Sequence, residues 1–233
     1  MVWVGVHFGS RGFGHKTATA FLQLAGERPG RMDAPPTLLP VASELGREYI
    51  EAMSLAGEYA YAGRDVVVDR VLDVLGATET ASVHNHHNFA WRETHDGEEW
   101  WVVRKGCTPA FPGQQGFVGS TMGETSVILE GADTPAARAA FFSTVHGAGR
   151  RLSRRQAKGK KGRPGLIDYA AVRADLRERG IELRGGDADE APDAYRRLDE
   201  VLAEHGDSIR VLHRLQPIGV AMAGPDVVDP YKD

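Results

Sequence analysis

Apolar and polar positions alternate from the first residues. Val2 to Phe8 is rich in β-branched residues and predicts a buried strand. With no upstream partner, that strand would present an unpaired edge carrying Trp3. The glycine-spaced stretch Gly9-Ser10-Arg11-Gly12-Phe13-Gly14 predicts a turn, and Lys16 to Ala25 a helix. Pro29 to Pro40 holds four prolines and reads as a surface connection. Leu45, Tyr49, Met53 and Ala56 share one helical face, and Val67, Val71, Leu72 and Leu75 share another, which predicts two further helices. The period then changes. Strands are predicted at Ser82–Asn88, Glu99–Arg104 and Ser126–Glu130, and helices at Thr134–Thr144, Ile167–Arg179 and Asp193–Glu204. Ile209 to Ala223 reads as a closing strand or hairpin. No repeat is present, and helices and strands fall in separate blocks, so the expected class is α+β rather than a doubly wound sheet.

Composition changes this picture little. The 233 residues suffice for a substantial core without disulfides or structural metal. Cys107 is the only cysteine, which excludes an intrachain disulfide and suggests a reducing, intracellular setting. No basic n-region opens the chain, and no stretch approaches the roughly 20 apolar residues of a membrane span. A soluble, cytoplasmic protein is expected. Charge is more informative locally than in sum. The net charge is −4, yet eight of the fourteen residues from Arg150 to Arg163 are basic and none is acidic. Asp187, Asp189, Glu190 and Asp193 form an acidic counterpart. The basic run is a candidate for sequence-independent nucleic-acid affinity, or simply a solvated helix face.

Candidate chemistry begins with the nine histidines, three of which crowd into Ser82-Val83-His84-Asn85-His86-His87-Asn88. In a strand, His84 and His86 would share one face and His87 the other. Imidazoles suit Zn, Mn, Fe or Cu, but a polar edge strand whose histidines meet water explains the cluster equally well. In Ser143-Thr144-Val145-His146-Gly147-Ala148-Gly149-Arg150, glycines leave room for a phosphate to approach the backbone. Arg150 could clamp its oxygens, and histidine is a competent nucleophile. Spacing alone favours a glycine-capped helix end. Arg104-Lys105-Gly106 and the turn Gly119 to Ser126 offer hydroxyls and free N–H groups to an anion, as many hairpins do. No Walker A loop is present. His7 sits at a strand end where ligands are often presented, whereas His15 reads as a solvent-facing helix residue.

Taken in order, His7-x-Gly-Ser-Arg-Gly, His86-His87-Asn88, Arg104-Lys105-Gly106, Met122-Gly123, His146-Gly147-Ala148-Gly149-Arg150 and Glu190-Ala191-Pro192-x-Ala194-Tyr195 resemble the RtcB family of 3′-phosphate/5′-hydroxyl RNA ligases. The resemblance runs from His7 to Gly224. It implies an RtcB-like α+β fold of mixed sheets with flanking helices, and residues 1–233 as the C-terminal portion of a ligase domain. It also implies a ligase that depends on GTP and Mn²⁺. The histidine matching His146 attacks the α-phosphate of GTP and passes GMP to an RNA 3′-phosphate, derived from a 2′,3′-cyclic phosphate. Attack by a 5′-hydroxyl then joins the ends. His7 and His87 match metal ligands. Asn88, Ser126, Gly147, Ala148, Gly149 and Tyr195 match the guanylate pocket. Arg11, Lys105 and Arg150 match phosphate or RNA contacts. The implied partners are RNA with broken ends, such as tRNA halves, and an activating helper protein.

The sequence departs from the family pattern in several places. The family's Asp-x-x-Cys and Asn-His-x-x-Glu segments do not occur, so somewhat more than the C-terminal half of such an enzyme is expected, with the N-terminal part of the fold missing. Cys107 follows Arg-Lys-Gly and is no substitute for the thiolate. Gly119-Ser120-Thr121-Met122 replaces Pro-Gly-Ser-Met. Val220 to Gly224 lacks the family's terminal lysine, a role left to Lys232. Weak Mn²⁺ binding and poor ligation by this chain alone are expected. An inactive RNA-binding remnant is the alternative, and a manganese phosphohydrolase fits the histidines but not the Gly-Ala-Gly-Arg context.

Overall fold

The computed structural model describes residues 1–26, 37–160, 162–224 and 227. They fall into two compact units, Met1–Ser82 and Val83–Val228. The connection predicted from Pro29 lies outside the described residues up to residue 36, as does Lys232.

The first unit is a helical hairpin of α1 (Gly12–Leu24) and α2 (Glu44–Leu75). Edge-on ring pairs, Phe13 with Tyr59 at 5.8 Å and Phe21 with Tyr49 at 5.3 Å, run the two helices antiparallel. The two helices expected after residue 44 are one of 32 residues. No proline interrupts it, and its two central glycines are used for packing. Gly57 is buried, and a Cβ on Gly63 would stand 3.2 Å from the Phe8 ring. The Ser43 side chain caps its start by accepting from the Gly46 N–H at 3.0 Å, and Gly76, left-handed at φ 60, ends it. Residues 1–9 form no strand and are largely exposed or half-buried, so the buried opening strand is not found. Instead the Phe8 carbonyl accepts from Arg64 Nη1 at 2.8 Å. The alternation was genuine, but a strand needs a neighbouring ladder, and none pairs with this segment among the described residues.

The second unit runs through β1 (Asn88–His95), β2 (Glu98–Lys105), β3 (Cys107–Pro109), β4 (Gln115–Val118), β5 (Ser126–Gly131), α3 (Pro135–Ala139), β6 (Ser143–Val145) and α4 (Arg154–Lys158). It continues with β7 (Gly159–Lys160), β8 (Arg163–Pro164), α5 (Tyr169–Glu178), β9 (Glu182–Arg184), two 3₁₀ turns (Ala188–Glu190, Pro192–Ala194), α6 (Leu198–Ala203), β10 (Ile209–Leu215) and β11 (Gly219–Ala221). Mixed helices and small sheets make the class α+β. The widest sheet among the described residues has three strands, ordered β10-β5-β4. One core joins Val118, Val127 and Leu129 of that sheet to Leu198, Leu202 and Ala148. A second joins Met122, Leu176 and Ile181.

Several predicted elements move. The strand expected at Ser82–Asn88 starts at Asn88, and pairing with β2 runs to a two-residue turn, Asp96-Gly97, with φ 51 and 83. Positive φ at both positions matches the twist of a hairpin. Upstream of Asn88, the Asn85 amide occupies the place of a ladder, accepting from the Phe117 N–H at 3.1 Å and donating to its carbonyl at 3.3 Å. The helix expected over Thr134–Thr144 shortens to α3, because β6 pairs with β3. Asp193–Glu204 begins as a 3₁₀ turn before α6. Ile209 to Ala223 is no hairpin: β10 pairs antiparallel with β5, and β11 parallel with β9. Among the described residues no helix is long and apolar enough to cross a membrane.

Candidate functional site

The end of three small ladders defines one place in the second unit. Antiparallel pairing sets Asn88 opposite Lys105, and the Gly106 N–H extends that contact by donating to the His87 carbonyl at 3.0 Å. Gly106 bends the chain at φ 77 into β3, whose Cys107 stands opposite Val145 of β6. The chain therefore leaves β6 at His146 beside Gly106 and His87. The His146 and His87 rings stack at 4.5 Å with 30° between planes. Gly147 bridges in parallel to Gly119, and a Cβ there would lie 3.1 Å from the Gly119 carbonyl oxygen. Ser126 closes the neighbouring turn, its hydroxyl accepting from the Ser120 N–H at 3.0 Å. His146 is thus no helix cap but the first residue of a strand-exit loop. Ala148 is buried in the core and anchors that loop, while Gly149, at φ 75, is exposed.

The His146 Nδ1 is buried with no hydrogen-bond partner. A neutral imidazole attacks through its unprotonated nitrogen, and the stacked His87 limits how the ring can turn.

The histidine segment behaves differently from a strand. His86 stacks on Phe89 at 5.1 Å, whereas His87 meets His146. The two rings part, as alternation predicted, but the tether is Asn85 together with Thr108, whose hydroxyl donates to the His86 carbonyl at 2.8 Å. Asn88 and Lys105 are exposed at the ladder end. His7 and Arg11 belong to the first unit. Among the described residues, no group of three or more His, Cys, Asp or Glu side chains comes together as a metal's ligands would. Cys107 is a free, half-buried thiol.

Behind the loop, Arg150 does not stand open. Its Nη1 donates to the Tyr195 hydroxyl, Nη2 to the Asp189 carbonyl and Nε to the Leu152 carbonyl at 3.3 Å, with the guanidinium 4.6 Å over the Tyr195 ring. The phosphate clamp read from the sequence is, in this conformation, a brace. The Tyr195 hydroxyl in turn donates to Glu190. Burial, and then this bond to Glu190, raise the Tyr195 phenol well above its ordinary value. The neutral phenol is favoured by the fold. Its stabilising effect is therefore full below the ordinary tyrosine range and lost as pH climbs through the raised value. In an ultraviolet titration Tyr195 should ionise last, and Tyr195→Phe should delete that final step; if the same step remains, it belongs to another tyrosine.

A buried network that the sequence reading missed sets β6 in place. Arg104, 1% exposed, pairs through both Nη atoms with the Glu93 carboxylate, donates from Nε to the Ser143 hydroxyl at 2.8 Å and from Nη2 to the Phe141 carbonyl at 2.7 Å. His95 Nε2 lies 2.8 Å from the same carboxylate. Phe141 and Phe142 both sit at positive φ, 50 and 46, a costly conformation for aromatic residues that surrounding bonds must hold. The Asp96-Gly97 turn signal would have found β1, and with it a register that sets Phe89 opposite Arg104 and puts Glu93, opposite Trp100, on the same face.

The family model for the tRNA-splicing ligase RtcB matches residues 1–223. The chain belongs to the RtcB family. It is 36% identical to the RNA-splicing ligase RtcB of Mycobacterium tuberculosis, over 94% of this chain and 56% of that protein. With the Escherichia coli K12 RNA-splicing ligase RtcB the identity is 31%, covering 93% of this chain and 55% of the relative. With the Thermococcus kodakarensis tRNA-splicing ligase RtcB it is 33%, covering 94% and 52%. The chain spans about half the length of the curated RtcB relatives it matches.

Proposed function

We propose that this chain carries the nucleotidyl-transfer side of an RNA ligase, the C-terminal portion of an RtcB domain, acting in the cytoplasm on RNA with broken ends. GTP is a substrate in this reading. His146 attacks its α-phosphate through Nε2, forming a P–N bond as pyrophosphate leaves. GMP then passes to an RNA 3′-phosphate, and a 5′-hydroxyl displaces it to close the phosphodiester. A poor phosphate leaving group is thereby exchanged for a nucleotide. The observation that carries the proposal is the exit from β6, where His146 meets His87 and Gly106 and Gly147 bridges to Gly119, with glycines where a phosphate has to approach. Gly147, Ala148 and Gly149 would supply backbone to the guanylate, with Asn88, Ser126 and Tyr195 beside them. Lys105 would meet phosphate, and the family resemblance gives His7 a metal-ligand role and Arg11 a phosphate or RNA contact.

The manganese requirement fits less well. Two imidazoles, His7 and His87, are proposed ligands, but the described residues gather no three-ligand set, and Mn²⁺ favours carboxylate and water-rich coordination. No step is assigned to the metal. The test is incubation with α-labelled GTP and Mn²⁺. A label held by an acid-labile, base-stable bond supports the proposal, and none at any enzyme concentration refutes it. Calorimetric titration should show weaker Mn²⁺ uptake, and labelling should be slower, than with the full-length Mycobacterium tuberculosis relative. Misplacement of reacting groups by about 1 Å costs on the order of 100-fold in rate. Equal values for the two proteins would mean that this chain contains ligands beyond those named.

A further inference from the structure

Four cations of the basic run from Arg150 to Arg163 form two contrasting pairs. Arg154 and Lys158, four residues apart on α4, face the acidic turn: Arg154 pairs with Asp189 at 2.9 Å and with Glu190, and Lys158 pairs with Asp187. The hydrogen bond to Asp187 holds the Lys158 ammonium above its usual pKa. These cations are already neutralised by the fold. Lys160 and Arg163 are not. They stand directly opposite each other in the β7–β8 ladder, both exposed, and neither forms an ion pair among the described residues. Like charges facing across a ladder destabilise it.

The hairpin that holds them is nonetheless tightly built. A Cβ on Gly159 would lie 2.4 Å from the Gly165 nitrogen, and one on Gly165 would lie 2.1 Å from the Ala157 carbonyl oxygen. Ala157 is fully buried, and the returning chain donates from Leu166 N–H to the Gln156 carbonyl at 2.9 Å. Lys158, Gly159, Lys160, Gly162, Arg163 and Pro164 line an open depression of about 570 Å³. Two unneutralised cations are thus held on one face of a short, anchored hairpin, where an external polyanion would relieve their repulsion.

The geometry points to the β7–β8 hairpin as a docking surface for the phosphodiester backbone of RNA, with Lys160 and Arg163 as its contacts. This rests on the RNA-ligase reading for the identity of the polyanion. Arg163 offers a planar fork to phosphate oxygens and Lys160 a mobile point charge, so the surface reads charge and not sequence.

The test is binding of unstructured single-stranded RNA by the full chain at several salt concentrations. Each phosphate contact contributes about −0.7 to the slope of log K against log salt for single strands, so Lys160→Gln with Arg163→Gln should make the slope about 1.4 less steep and weaken binding on the order of tenfold. Arg154→Gln with Lys158→Gln should leave the slope unchanged and lower the unfolding midpoint. The surface assignment is overturned if the hairpin pair leaves the slope unchanged, or if the Arg154/Lys158 pair flattens it equally. It is also overturned if the hairpin pair weakens binding of polyglutamate but not of RNA, which would make the partner an acidic protein. GTP labelling without RNA separates the two readings. A labelled chain with an unaltered slope loses only the hairpin surface, whereas an unlabelled chain that binds RNA through the hairpin loses only the ligase reading.

Discussion

His146→Ala is expected to abolish guanylate labelling while leaving the second unit folded. The substitution removes the proposed nucleophile at the β6 exit, and its neighbour His87 is a poor substitute. The His87 ring, 4.5 Å away, hangs from a different segment whose backbone is tied to Gly106. Catalytic nucleophiles act as a unit with their surroundings, so replacing one costs most of the rate. The fold should be insensitive, because Nδ1 bonds to nothing, the ring is only half-buried, and the loop is anchored by Ala148 and the β3–β6 ladder. Label should therefore vanish with the unfolding transition nearly unmoved. His87→Ala is the matched control: it removes the stacking neighbour and should slow labelling without changing where the label sits. Label persisting in His146→Ala would move the covalent site elsewhere.

Arg104→Met is expected to destabilise the second unit by about 3–5 kcal/mol, the usual consequence of removing one partner from a buried ion pair. That is a large fraction of the roughly 5–15 kcal/mol by which domains are stable. The loss has named parts. Glu93, with side-chain exposure of 7%, loses its Arg104 partner, the Ser143 hydroxyl loses its Arg104 donor, and the Phe141 carbonyl loses one at a backbone position already strained. Methionine fills much of the volume, which separates charge from cavity effects. Arg104→Met combined with Glu93→Gln should recover part of the loss, because no unpaired charge then remains buried. Urea unfolding of the single and double variants measures both. A single variant within about 1 kcal/mol of wild type, where surface changes usually fall, would show the network to be dispensable.

The histidines show how far local sequence carried the site. Spacing alone favours a glycine-capped helix end at His146, and the role proposed for it, like the weight given to Lys105-Gly106 and Met122-Gly123, comes from the ordered set of motifs that resembles the RtcB family. The reading of Arg150 as a phosphate clamp shows the limit. Its type and position were right for that role, but whether its donors meet a ligand or Tyr195 and Asp189 depends on a segment some forty residues away. Arg104 was seen only as a neighbour of Lys105, because nothing in a strand's own sequence says that its side chain will meet a buried carboxylate on the paired strand.

Within elements, the sequence alone determined much: α1, the cores of β2 and β5, α5, the α+β class and the ordered motifs that mark an RtcB chain. Those follow from side-chain periodicity and residue type, which act over a few positions. Tertiary structure decided what depends on a partner. Residues 2–8 alternate like a strand and pair with no ladder among the described residues. Leu45 to Leu75 looks like two helices and is one, since Gly57 and Gly63 pack instead of breaking. The register that sets Asn88 against Lys105 and Cys107 against Val145, and so brings His87, Gly106 and His146 to one exit, is fixed by hydrogen bonds between segments far apart in the chain. Backbone donors and acceptors must be satisfied, but only the folded chain decides which distant segment does so.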